Sequence, residues 1–173
     1  MKVKVKKLNN KAVIPYKKHE EDFGFDVVAT SCEEIAPNVY KYGIGLATEI
    51  VRDYEKIGLI KSESWLTKQP EYENMFINLI NNKFIKLSLD LRPRSSIWET
   101  GMILCNCEGT IDELYRGEIS AVFYHVMKKM PIYKVGDRIG QIKLGITLDI
   151  VWEEAETLSE TTRGVNGFGS TGK

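Results

Sequence analysis

Hydrophobic and polar residues alternate with a period of two along much of the chain. Lys2-Val3-Lys4-Val5-Lys6 puts valines on one side and lysines on the other, as a half-buried strand requires. Further β-rich runs are Phe25-Asp26-Val27-Val28-Ala29 and Gly43-Ile44-Gly45-Leu46-Ala47-Thr48-Glu49-Ile50-Val51. Strands are also expected at 84–91, 102–107, 118–126, 137–144 and 147–152, punctuated by Gly, Pro, Asn and Asp. Many short strands at close spacing predict an all-β sandwich or barrel. One segment, about 52–82, breaks the pattern. It is rich in Glu, Lys, Asn and Tyr, and it is too long for a bare loop. It reads as an insertion with a short helix near 71–80. The expected division is a β domain over 1–152, carrying this insertion, and a polar, Gly-rich tail over 153–173. That tail should be mobile unless something binds it.

The length, 173 residues, fits one domain, and 43% apolar content is enough for a folded core. Lys plus Arg and Asp plus Glu both number 24, so the net charge is zero. Proteins that coat nucleic acid usually carry a basic excess, so direct nucleic-acid binding is not expected. No apolar run approaches the ~18 residues of a membrane span. The opening MKVKVKKLNN lacks the apolar stretch of a secretory signal, which suits a cytoplasmic protein. Cys32, Cys105 and Cys107 have no zinc spacing. They read as reduced, packed thiols, with Cys105 and Cys107 on one face of a strand.

Five polar clusters interrupt the β pattern. Asp22-Phe23-Gly24-Phe25-Asp26 alone reads as a turn entering a strand. Arg92-Pro93-Arg94-Ser95-Ser96 sets guanidiniums beside hydroxyls, which suits phosphate oxygens or a solvated loop. In the third, Asn106 through Gly117, two β runs flank a turn-rich middle, so a hairpin is expected. Its Asp112 could activate water or simply form the turn. Gly136-Asp137-Arg138-Ile139-Gly140-Gln141 reads by itself as an Asp–Arg pair opening a strand. The tail supplies Arg163, Phe168, Ser170 and Thr171.

Taken in order, the five clusters resemble the motifs of the trimeric dUTPases, deoxyuridine triphosphate nucleotidohydrolases. Phe23-Gly24-Phe25-Asp26-Val27 is similar to the family's Ala-Gly-x-Asp-Leu. Pro93-Arg94-Ser95-Ser96 resembles the second motif. Gly109-Thr110-Ile111-Asp112-Glu113-Leu114-Tyr115-Arg116-Gly117 resembles Gly-Val-Ile-Asp-x-Asp-Tyr-Arg-Gly. Gly136 through Gln141 resembles the fourth, with Gly140 where Ala is common. Arg163 through Gly172 resembles the fifth, with Asn166 where Gly is usual. The chain departs from the pattern at Phe23, at Leu114 in place of an acid, and in the insertion.

The resemblance implies a jelly-roll or β-barrel, a homotrimer with shared active sites, and Mg²⁺-dependent hydrolysis of dUTP to dUMP and pyrophosphate. Asp112 would activate the water that attacks the α-phosphorus. Arg94, Ser95 and Ser96 would meet phosphate oxygens, and Gln141 the α-phosphate region. Arg163, Gly169, Ser170 and Thr171 would close on the phosphates, with Phe168 stacked on uracil. Asn106 and the backbone at Gly109 and Ile111 would read the base, and Tyr115 would pack under the deoxyribose. Asp26 would touch Mg²⁺ only through water. Two other readings remain open: a dCTP deaminase of the same fold, and a regulatory binding protein acting through the insertion.

Overall fold

The computed structural model describes residues 2–52, 85–106 and 108–165. Among the described residues there are ten strands: β1 Lys2–Lys7, β2 Phe25–Val28, β3 Glu33–Ala36, β4 Val39–Gly43, β5 Leu46–Val51, β6 Ile85–Arg92, β7 Met102–Leu104, β8 Gly109–Asp112, β9 Ser120–His125 and β10 Arg138–Leu148. They form two four-stranded sheets, β2-β10-β6-β8 and β3-β4-β9-β7, and a two-stranded ribbon, β1-β5. Every ladder is antiparallel. The fold is all-β, as the alternation predicts.

Both sheets turn their apolar faces into one core. Val27, Leu87, Leu89, Leu91, Ile139 and Ile142 come from the first sheet, and Tyr42, Met102, Leu104, Ala121 and Phe123 from the second. Tyr42, Phe123 and Tyr133 meet edge-to-face, with centroids 5.5–6.2 Å apart. Buried Tyr42 satisfies its hydroxyl by donating to the Tyr133 carbonyl at 2.9 Å.

Several expected elements change. The run from Gly43 to Val51 is two strands, because Gly45 sits at φ +68° and turns the chain. The expected strands at 137–144 and 147–152 merge into β10. Its register with β6 is unbroken from Gln141↔Arg92 to Leu148↔Ile85. Gly145, which reads as punctuation, lies opposite Ser88 inside that ladder. A Cβ there would sit 2.3 Å from Ser88 Oγ and 2.4 Å from Asp90 Oδ2, so a larger residue would have to displace those side chains. β10 stops at Leu148, and residues 149–165 carry no strand or helix. β3 and β4 form a hairpin that the pattern did not announce, since β3 is exposed along its length.

The third cluster is wider than a simple hairpin. Its flanking runs, β7 and β9, do pair. The stretch between them crosses over and gives β8 to the other sheet, beside β6. β7 ends at Leu104, so Cys105 lies in a turn. Cys105 and Cys32 are both exposed rather than packed, and Cys107 is outside the described residues. The expected helix near 71–80 also lies outside them. Among the described residues the only helical turn is 3-10, at Ser95–Thr100. None is a helix long and apolar enough to cross a membrane.

Candidate active site

One face of the β2-β10-β6-β8 sheet is apolar and faces the core. Its other face carries polar residues, because side chains alternate along each strand. Asp26 on β2 pairs with Gln141 on β10, which pairs in turn with Arg92 on β6. β6 ends at Arg92 because Pro93 has no N–H to continue the ladder. The chain then turns, and Arg94 caps the 3-10 turn in extended backbone.

Asp26 is the hub of this end of the sheet. It is only 4% exposed. Its Oδ1 accepts from Arg94 Nε at 3.2 Å and Gln141 Nε2 at 3.1 Å. Its Oδ2 accepts from Arg138 Nη1 at 2.9 Å. Two guanidiniums against one carboxylate leave this end net positive. Each guanidinium has five donors, so both retain some for a further anion. Ser96 is half-buried beside Arg94, with its Oγ 3.5 Å from Nη1, and Ser95 is exposed. Arg138 joins this cluster as a candidate site residue that the sequence reading did not select. The expected Asp137–Arg138 pair is not formed. Asp137 instead accepts from the Lys134 N–H at 2.7 Å, closing a turn. Residues 137 and 138 enter a strand, so their side chains diverge.

The third cluster forms the opposite edge. β8 pairs with β6 on one side only, through Leu91↔Gly109 and Leu89↔Ile111. Among the described residues no strand pairs with its other side, which presents an edge of backbone donors and acceptors. Asn106 lies over buried Gly109, whose Cβ, if present, would be 3.1 Å from Asn106 Nδ2. Asp112 ends β8, exposed, opposite Ser88. Tyr115 N donates to Asp112 O at 3.0 Å, and the Tyr115 hydroxyl to Glu118 O at 3.0 Å.

Between these ends runs an ionic row. Lys143 Nζ reaches Asp90 at 2.6 Å and Glu108 at 3.4 Å, and Arg92 Nε donates to Glu108 at 2.5 Å. Burial pushes the Asp90 carboxyl up, but hydrogen bonds from Lys143 and Ser88 outweigh it and hold the group below the usual range. Glu108 is also held low, chiefly by Arg92.

The two ends do not converge within one chain. Gln141 lies opposite Arg92 and Asp112 opposite Ser88, four residues apart on β6. At ~3.3 Å per residue that is about 13 Å along the strand, and β8 and β10 flank β6 on opposite sides. The phosphate-type donors and Asp112 are therefore two separate groups on this sheet. Arg163 is exposed in a turn closed by the Gly164 N–H on Thr161 O at 3.1 Å. Phe168, Gly169, Ser170 and Thr171 lie outside the described residues. An apolar cavity of about 360 Å³, walled by Val3, Val5, Ile142 and Leu144 among others, includes none of the expected site residues.

Among the described residues no three His, Cys, Asp or Glu side chains cluster as metal ligands. Both Asp26 oxygens already accept hydrogen bonds, two of them from cations, so Asp26 suits a metal only through an intervening water.

Residues 86–172 match the family model described as dUTPase. A deoxyuridine 5'-triphosphate nucleotidohydrolase of Clostridium novyi is 32% identical over 99% of both chains. The dUTPase of Staphylococcus bacteriophage 80alpha, solved with dUpNHpp, shares the fold at a TM-score of 0.68, with 18% identity over 99% of both chains. A phage phi11 dUTPase that coordinates a structural Mg(II) ion aligns at 0.60, with 13% identity over 92% of this chain and 100% of its own. Motif order, edge strand, Asp26 hub and full-length similarity agree, and the chain belongs to the dUTPase family.

Proposed function

We propose that this chain hydrolyses dUTP to dUMP and pyrophosphate, in sites shared between subunits of a homotrimer. The observation that carries this reading is the pair of complementary groups on one sheet, read as two half-sites. One end offers guanidiniums for phosphate, and the other offers an open strand edge beside an exposed carboxylate.

Uracil pairs through its N–H and carbonyl groups. The open edge of β8 at Gly109 and Ile111 supplies matching backbone groups, with Asn106 beside them. A wrong base would leave these groups unpaired, at about 1–3 kcal/mol each. Tyr115 packs against the deoxyribose and crowds a 2′-hydroxyl. Arg94, held by Asp26, and Gln141 receive the phosphates from a neighbouring subunit. Asp112 accepts a proton as the water oxygen bonds to the α-phosphorus, and the bond to the pyrophosphate oxygen breaks. Mg²⁺, when bound, neutralises phosphate charge, and Asp26 would hold it through water. Arg163, Phe168, Gly169, Ser170 and Thr171 close over the nucleotide as a lid. Exposed thiols at Cys32 and Cys105 suit the reducing cytoplasm.

The test is pyrophosphate release from dUTP, dTTP, dCTP and UTP with Mg²⁺, for wild type and Asp112→Asn. Release from dUTP alone, lost in the variant, is expected. Ammonia release from dCTP would instead support the deaminase reading. Binding of dUTP without turnover would support a regulatory protein.

A further inference from the structure

Residues 53–84 join the described chain at Arg52, which follows β5, and at Ile85, which opens β6. Arg52 ties these points together, its Nη2 donating to the Ile85 carbonyl at 3.0 Å. The same guanidinium grips Glu113 with both arms, Nε on Oε1 and Nη2 on Oε2, each at 2.5 Å. Glu113 directly follows Asp112. The pair is bidentate and its side chains are only 26% and 21% exposed, so solvent screens it less than a surface pair. The Arg52 hydrogen bonds hold the Glu113 carboxyl below its usual range, against a burial cost.

The turn beyond is also tied. Arg116 Nη1 donates to the carbonyls of Glu113 at 2.6 Å and Tyr115 at 3.0 Å. Among the described residues no side chain grips the Asp112 carboxylate. Its placement follows from the backbone of this turn and from the β8 ladder. In the motif that this stretch resembles, position 113 is open to any residue, so the grip comes from this chain's own sequence.

We infer that Glu113, gripped by Arg52, is a positioning residue for Asp112, and that the pair couples the attachment points of residues 53–84 to the water-activating turn. This rests on the hydrolase reading above. One guanidinium serves both the 52–85 junction and the turn. Moving Arg52 away from Ile85 therefore withdraws support from the residue beside Asp112. A group that acts on water in the transition state is sensitive to small displacement, and about 1 Å can cost up to 100-fold in rate.

Glu113→Gln, Arg52→Met and the double variant should each be assayed for dUTP turnover. Backbone amide exchange at Tyr115, whose N–H donates to Asp112 O, should be measured in parallel. Each single variant should lower kcat by about 10-fold with KM within about twofold. The double should lose no more than the worse single, as expected for residues acting as one unit. Arg52→Lys, which keeps the charge but not the fork, should fall between wild type and Arg52→Met. Tyr115 exchange should quicken in all of them. Unchanged kcat, a loss confined to KM, additive losses, or unaltered Tyr115 exchange would each overturn the inference. A wild type that releases no pyrophosphate, with exchange still quickened in the variants, would uphold the grip and remove the hydrolase reading instead.

Discussion

Asp26 shows how one buried carboxylate can organise groups far apart in the chain. It holds Arg94, Arg138 and Gln141, which are 68, 112 and 115 residues away. In Asp26→Asn the amide would turn an N–H toward a guanidinium and halve the accepting capacity. We expect a loss of about 2 kcal/mol in denaturant unfolding, toward the low side because both arginines reach solvent. Turnover of dUTP should fall by about 100-fold as Arg94 and Gln141 lose their alignment. Full stability and activity in the variant would show that the hub does not organise the site. The identities of Asp26, Arg94 and Gln141 were legible in the sequence as motif members. The role of Arg138 was not, because the residue beside it in sequence, Asp137, suggested a local pair that strand geometry forbids.

At the scale of elements, β10 binds the site together. It pairs with β2 and β6, and its polar side carries Gln141 and Lys143 across the sheet. Gly145 allows Ser88 and Asp90 to lie close against it. Gly145→Ala should destabilise the fold by about 1–3 kcal/mol, as overpacking of a fixed contact does, read from urea unfolding. A neutral effect would mean that Ser88 and Asp90 can step aside. Alternation in the sequence announced β1, β2, β6, β9 and most of β10. It overlooked β3, whose four residues are all exposed, and it took Gly145 for a break. A glycine reads alike whether it ends a strand or admits a neighbour, and only the facing residues distinguish the two.

At the scale of the molecule, the proposed pairing of the two half-sites between subunits makes predictions about assembly. Light scattering should give three times the mass of the 173-residue chain, and a monomer would contradict the shared site. A sharper test mixes two inactive variants, Asp112→Asn and Arg94→Gln, under conditions that exchange subunits. Each mixed trimer can pair an intact Asp112 with an intact Arg94 from its neighbour. Random mixing should restore about one quarter of wild-type sites. No recovery would place both residues in a single-chain site.

The sequence by itself determined the chemistry and its order: an acid, an arginine with hydroxyls, a second acid behind a β run, a glutamine, and a glycine-rich tail. It also determined the all-β class, because period-two burial is a local property of each strand. Only the tertiary structure decided which charges meet, that β8 crosses to the opposite sheet as an edge, and that Asp112 stands apart from the arginines. Pairing partners are chosen by packing across scores of intervening residues, and a local pattern of apolar and polar positions carries no record of that choice.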